Sequence, residues 1–147
     1  MDAADFSVRD ATSTDAPAIA DLLAELGHPT AAVDIPARLA ALVLEGGAVM
    51  LAVADQGGVL GMMSLARVTT LHAAGPVAYI TSLVTTSDAR RRGVGKAFIH
   101  AATQWATRYG CERLTVTSAE HRADAHRFYP ACGLEYTGRR FSRTIGR

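Results

Sequence analysis

The chain has 147 residues, 49% of them hydrophobic and 20% charged, the composition of one soluble globular domain long enough to bury a core. A formal net charge of +1 excludes the broad basic field of a nucleic-acid binder, and no window approaches the ~18 apolar residues that a membrane helix needs. Cys111 and Cys132 have no metal-ligand spacing, and the acidic opening Met1-Asp2-Ala3-Ala4-Asp5 has no signal-peptide pattern, so a reduced cytoplasmic protein without a metal site is expected.

Phe6 and Val8 alternate with polar residues and predict a first strand. Thr14 is the expected cap of a helix with Asp15 and Pro17 in its first turn. Ile19, Leu22, Leu23 and Leu26 then recur at helical spacing, and Gly27 stops the run. Asp34 opens a second helix with Ile35, Leu39, Leu42 and Val43 expected inside, ended by Gly46-Gly47. Ala48–Ala54 and Val59–Val68 read as two strands about a Gln56-Gly57-Gly58 turn. A loop over Leu71–Pro76 leads to a strand at Val77–Thr86. A long helix, Val94–Tyr109, puts Phe98, Ala101, Ala102, Trp105 and Tyr109 on one face, and Gly110 ends it. Arg113–Ser118 reads as a strand, Asp124–Cys132 as a short helix closed by Gly133, and Leu134–Ile145 as one or two last strands. The order β-α-α-β-β-β-α-β-α-β predicts one mixed-sheet α/β domain over 1–147.

The most informative stretch is Ala89-Arg90-Arg91-Arg92-Gly93-Val94-Gly95-Lys96, between the Val77–Thr86 strand and the long helix. Amides at a helix start lack partners inside the helix, and the helix dipole makes that end positive. Glycines let a ligand approach the backbone, and the cations add charge, so a phosphate-bearing ligand is expected. A second basic patch holds Arg139, Arg140, Arg143 and Arg147. The P-loop does not fit, because Arg90 stands at its first glycine and Ala97 at its Ser/Thr position. The dinucleotide fingerprint does not fit either, because Phe98 takes its third glycine position and no βαβ unit precedes it.

Arg90-Arg91-Arg92-Gly93-Val94-Gly95 does match [RQ]-x-x-G-x-[GA]. With Ile80–Thr85 before it and Ala125-His126-Arg127-Phe128-Tyr129-Pro130-Ala131-Cys132-Gly133-Leu134 after it, the chain resembles the GNAT family of acyl-CoA-dependent N-acetyltransferases over nearly its whole length. The resemblance implies a mostly antiparallel mixed sheet with flanking helices, in which parallel fourth and fifth strands, here Val77–Thr86 and Arg113–Ser118, splay apart. It implies acetyl-CoA as cosubstrate, its pyrophosphate on Arg90, Arg91, Arg92, Gly93, Val94, Gly95 and Lys96. The pantetheine arm would pair with the backbone of Leu83, Val84 and Thr85 like an added strand. Tyr129 would be the general acid that protonates the departing thiolate. The acceptor would be a small-molecule or protein amine, and the family often forms homodimers.

Two positions depart from the family pattern. Thr81 and Ser82 stand where a strand carboxylate often acts as base, and neither takes a proton at neutral pH. Arg122 stands where an asparagine often contacts the cofactor, and could reach a phosphate or pantetheine oxygen. His28, His72, Glu120 and His121 are therefore candidate bases, while His100 and His126 read as solvated helix residues. Trp105 and Tyr109 are expected in the core, and Cys111 and Cys132 as small buried hydrophobes. A GNAT-fold module that binds CoA with little or no catalysis is the alternative reading. The segment Leu26–Pro36 and the final strands should set the acceptor.

Overall fold

The computed structural model describes residues 5–89, 92–116, 123–138 and 141–145. The chain forms two compact units, one up to Thr115 and one from Val116.

The first unit is built on a sheet in the order β1-β2-β3-β4-β5, with β1 Phe6–Asp10, β2 Ala48–Ala54, β3 Val59–Val68, β4 Val77–Thr85 and β5 Arg113–Val116. The pairs β1/β2, β2/β3 and β3/β4 are antiparallel, and β5 is parallel to β4. β2 and β3 meet at a tight turn in which Ala54 N–H donates to Gly58 O and Gly57 N–H to Ala54 O, both at 2.7 Å. β3 and β4 face each other from Val68↔Val77 to Gly61↔Thr85, with one irregularity. Ser64 pairs with Ser82 and Leu65 with Ile80, so Thr81 is the extra residue of a β-bulge. Glu112 N–H donates to Pro76 O at 2.8 Å, which starts β5 level with the beginning of β4.

α1 (Ala16–Leu26) and α2 (Ile35–Leu44) cover one face of the sheet. Ile19, Leu22 and Ile35 join Val49, Leu51, Met62 and Val84 in one buried cluster, with Leu23, Leu26, Leu39 and Leu42 packed against it. α3 (Val94–Arg108) packs on β3 and β4 with Phe98, Ala102 and Trp105 buried. Alternation along β3 sends Met62 to the α1/α2 cluster and Gly61 and Met63 to the opposite face. Gly61 is required there: a Cβ would lie 2.8 Å from Val84 O and 3.1 Å from Phe98 Cε2.

Several expectations are corrected. The first helical run is capped by Thr12 rather than Thr14. A 3-10 turn at Ser13–Asp15 precedes α1, and Asp15 Oδ2 accepts from Thr12 N–H at 2.7 Å. Asp15 satisfies an amide that a cap at Thr14 would leave open, which moves the start back two residues. Val43 is 55% exposed. It lies about 80° round the helix from Ile35, so Leu42 and Leu39 take the inward positions instead. Tyr109, just past the end of α3, is 43% exposed and covers the Arg67 guanidinium rather than entering the core. Cys111 and Cys132 are half-buried free thiols.

In the second unit, α4 spans Ala123–Ala131. Cys132 N–H donates to Phe128 O at 3.1 Å and Leu134 N–H to Tyr129 O at 3.0 Å, closing the helix at Gly133 as expected. The expected last strands are not formed among the described residues of 134–138 and 141–145. Tyr136, Phe141 and Ile145, within the stretch expected to form those strands, are exposed side chains.

Candidate active site

β4, a short turn and α3 form the structural frame of the arginine-glycine motif. Thr86 N–H donates to Leu60 O at 2.9 Å, which anchors the chain as it leaves the sheet. A 3-10 turn over Ser87–Ala89 follows, and Ala89 is buried. Arg92 N–H returns to Ala89 O at 3.2 Å, so this amide serves the turn. Gly93 is the N-cap of α3 with φ 84° and ψ 9°, the left-handed conformation that other L-residues enter at a cost. Among the described residues nothing lies within 4 Å of the place its Cβ would occupy, so the cap is open there as well as left-handed. Ala97 N–H donates to Gly93 O at 3.0 Å, leaving the amides from Gly93 to Lys96 ahead of the helical ladder. Val94 is buried and pins the first turn, Gly95 is half-buried, and Lys96 is exposed.

Arg92 is in an ion pair: Nη2 lies 2.7 Å from Asp5 Oδ2, ahead of β1. Hydrogen bonding to that guanidinium holds the Asp5 carboxyl below the ordinary carboxylate range. Arg90, Arg91 and Arg122 lie outside the described residues, as do Glu120 and His121. Leu83 and Thr85 are half-buried in β4 and Val84 is buried between them. His28 and His72 are exposed in loops.

Where a β4 carboxylate was absent from the sequence, three hydroxyls meet. Ser64 Oγ is 2.7 Å from Thr81 Oγ1 and is also hydrogen-bonded to Ser82 Oγ. The bulge at Thr81 causes this, because two successive β4 residues then oppose the one β3 serine. Sequence reading missed the cluster, although a lone serine in the apolar run Leu60–Leu65 was a usable signal. It also missed Arg67. That guanidinium stacks over Tyr109 at 4.0 Å and Trp105 at 5.7 Å, and its Nε donates to Gly46 O at 2.8 Å. Burial raises the pKa of the neighbouring Cys111 thiol, partly opposed by the Arg67 charge.

In the second unit, Tyr129 is half-buried near the end of α4, its ring edge-on to Phe128 at 5.2 Å and 67°. Pro130 follows it inside the helix, so the ladder lacks one amide there.

The family model of the acetyltransferase (GNAT) family matches residues 17–134, and the chain belongs to that family. Over 51 residues it is 41% identical to the uncharacterized N-acetyltransferase YhdJ of Bacillus subtilis (strain 168). That match takes in 35% of the chain and only 36% of the relative's length. A transcriptional regulator from Bacillus halodurans C-125 superposes with a TM-score of 0.83 at 21% identity, covering 95% of this chain and 99% of that one. AAC(6')-Iy, solved with the bisubstrate analog CoA-S-monomethyl-acetylneamine, gives 0.80 at 24% identity, covering 96% and 99%. The mixed sheet with parallel β4 and β5 and its flanking helices is the GNAT architecture.

Proposed function

We propose that the chain is an acetyl-CoA-dependent N-acetyltransferase that moves an acetyl group to a primary amine by direct transfer, with 1–147 working as one domain. The observation that carries this reading is the open, left-handed Gly93 cap joining β4 to α3. The cradle fits a pyrophosphate: amides from Gly93 to Lys96 precede the helical ladder, positive dipole and Lys96 charge favour an anion, and no described side chain fills the space at Gly93. Family membership and a structural relative captured with a CoA bisubstrate analog support the same ligand.

Acetyl-CoA, when bound, supplies the acetyl thioester. Gly93, Val94, Gly95 and Lys96, with Arg90, Arg91 and Arg92, would hold its phosphates, and Arg122 a phosphate or pantetheine oxygen. Arg92 would act within its Asp5 pair, as a charge already fixed by the fold. The Leu83–Thr85 backbone would pair with the pantetheine amides. Leu83–Thr85 form the end of β4 that leads into the α3 cap, which supports a role for this end of the strand as a ligand edge. The acceptor nitrogen forms a bond to the acetyl carbon as the carbon–sulfur bond breaks, and the Tyr129 phenol gives its proton to the sulfur. The proton lost by the acceptor passes to solvent or to a loop histidine such as His28 or His72. The working setting is a cytoplasmic homodimer acting on a small-molecule or protein amine. No helix among the described residues is long and apolar enough to cross a membrane.

A CoA-binding module without turnover is the second reading, favoured by Thr81 and Ser82 in place of a β4 carboxylate. Thiol release from acetyl-CoA with amino sugars, polyamines and free peptide N-termini separates the two. Release that depends on an amine is the expected result. Acetyl-CoA binding without release on any amine supports the module, and a chain that binds no acetyl-CoA sinks both.

A further inference from the structure

The hydroxyls of Ser64, Thr81 and Ser82 form a polar feature inside an apolar sheet. Ser64 is 7% exposed and is the buried polar residue among the described residues, all the other buried ones being apolar or glycine. It lies two residues from Met62, so it points to the face covered by α1 and α2. Its two partners carry the feature outward, since Ser82 is half-buried and Thr81 is exposed. Burying a hydroxyl in an apolar strand costs free energy unless it is hydrogen-bonded, and Thr81 and Ser82 supply those bonds to Ser64.

The protons can be counted. Two hydrogen bonds join three hydroxyls, so two of the three protons lie in the bonds and one remains. If the chain of donors runs from Thr81 to Ser64 to Ser82, the Thr81 oxygen presents lone pairs to solvent. If it runs in reverse, Thr81 presents its O–H. The exposed end can therefore accept or donate without any change of charge, and the buried Ser64 fixes where it stands. A primary amine, with both N–H groups and a lone pair, matches such an end.

We infer that the Ser64–Thr81–Ser82 cluster is the docking point of the acceptor amine, with Thr81 Oγ1 touching the attacking nitrogen and Ser64 positioning Thr81. The inference rests on the acetyltransferase reading, in which the acyl end of the donor lies along β4 beside Leu83–Thr85, next to Thr81 and Ser82. The cluster orients the nitrogen as a neutral amine, because a hydroxyl does not take its proton near neutral pH. It also explains how β4 can lack a carboxylate and still face a substrate.

The test measures steady-state kinetics with glucosamine, spermidine, neamine and a short peptide with a free N-terminus, alongside calorimetric acetyl-CoA binding. Thr81→Val is nearly isosteric and lacks the hydroxyl, and Thr81→Ser retains it. The expected result is a tenfold or greater loss of kcat/KM for the amine in Thr81→Val, restoration to within threefold in Thr81→Ser, and acetyl-CoA affinity unchanged within twofold in both. Ser64→Ala should lose kcat with little change in acetyl-CoA affinity, and thermal melting checks that it is folded. Amine kinetics within twofold of wild type in Thr81→Val overturn the inference and leave the acetyltransferase reading standing. A wild-type protein that binds acetyl-CoA and acetylates none of the four amines also overturns it. Failure of the wild type to bind acetyl-CoA overturns the reading beneath it.

Discussion

At the scale of single residues, Gly93 has the most specific conformational demand. Valine at φ 84° would be a β-branched residue in the left-handed region, costing about 2 kcal/mol or more. Gly93→Val should weaken acetyl-CoA binding by tenfold or more, measured by calorimetry. Gly95→Asp should do the same by setting a carboxylate against the phosphates. Arg92→Ala should cost less than either, because its guanidinium is held by Asp5 and screened at the surface. Wild-type affinity in Gly95→Asp would overturn the cradle. Asp15 makes a different prediction. Arg9 binds it through both oxygens at 2.9 Å, and this pairing lowers the carboxyl from 3.8 to about 2. The folded state therefore holds the proton less tightly than the unfolded chain. The stabilisation is complete above about pH 5 and is lost as pH falls through 3.8 towards 2. Arg9 is 44% exposed, so the gain is only about 1 kcal/mol. Urea unfolding should find Asp15→Asn less stable than wild type at pH 7 and equal to it near pH 2. A gap that does not change with pH would refute the assignment.

At the scale of elements, α3 links fold and site, since its first turn is the cradle and its buried face anchors it to the sheet. Phe98 is 0% exposed beneath Gly61, and Phe98→Ala should cost about 3–5 kcal/mol, read as a drop in the urea midpoint. Loss of acetyl-CoA affinity should follow from the loosened turn. A stability change below 1 kcal/mol would show that α3 is held elsewhere. Much of this element was legible in the sequence: Phe98, Ala102 and Trp105 recur at helical spacing, and the glycines mark its start. β2 and β3 were legible to the residue, because continuous apolar runs bracket a glycine turn. What escaped reading were features set by partners distant in sequence. Tyr109 belongs to the same periodic face as Trp105, but it is the C-cap of α3 and its ring lies against the Arg67 guanidinium from β3. The bulge at Thr81 has no local signature, since it is a matter of register between two strands. The cap at Thr12 depended on Asp15 bonding backward, a capping box that was present in the sequence but masked by the nearer Thr14.

At the scale of the whole molecule, the two units raise the question of whether the chain unfolds in one step. The unit from Val116 has one described helix, α4, and exposed side chains at Tyr136, Phe141 and Ile145. Its cysteine, Cys132, is free, and no group of residues suited to a metal occurs among the described residues. The proposed reading, in which 1–147 works as one domain, requires the two units to unfold together. Thermal unfolding of the full chain should then be a single transition, with calorimetric and van't Hoff enthalpies in agreement. Trp105 fluorescence, which reports the first unit, and the far-ultraviolet helix signal, to which α4 contributes, should share one midpoint. Saturating acetyl-CoA at a hundred times its dissociation constant should raise the stability of the whole by about 2.7 kcal/mol, moving both probes together. Two transitions, with only the earlier or only the later one moved by acetyl-CoA, would mean that α4 and the Gly93 cradle are energetically separate. Tyr129 would then lose its claim to serve as the acid for a donor held at that cradle.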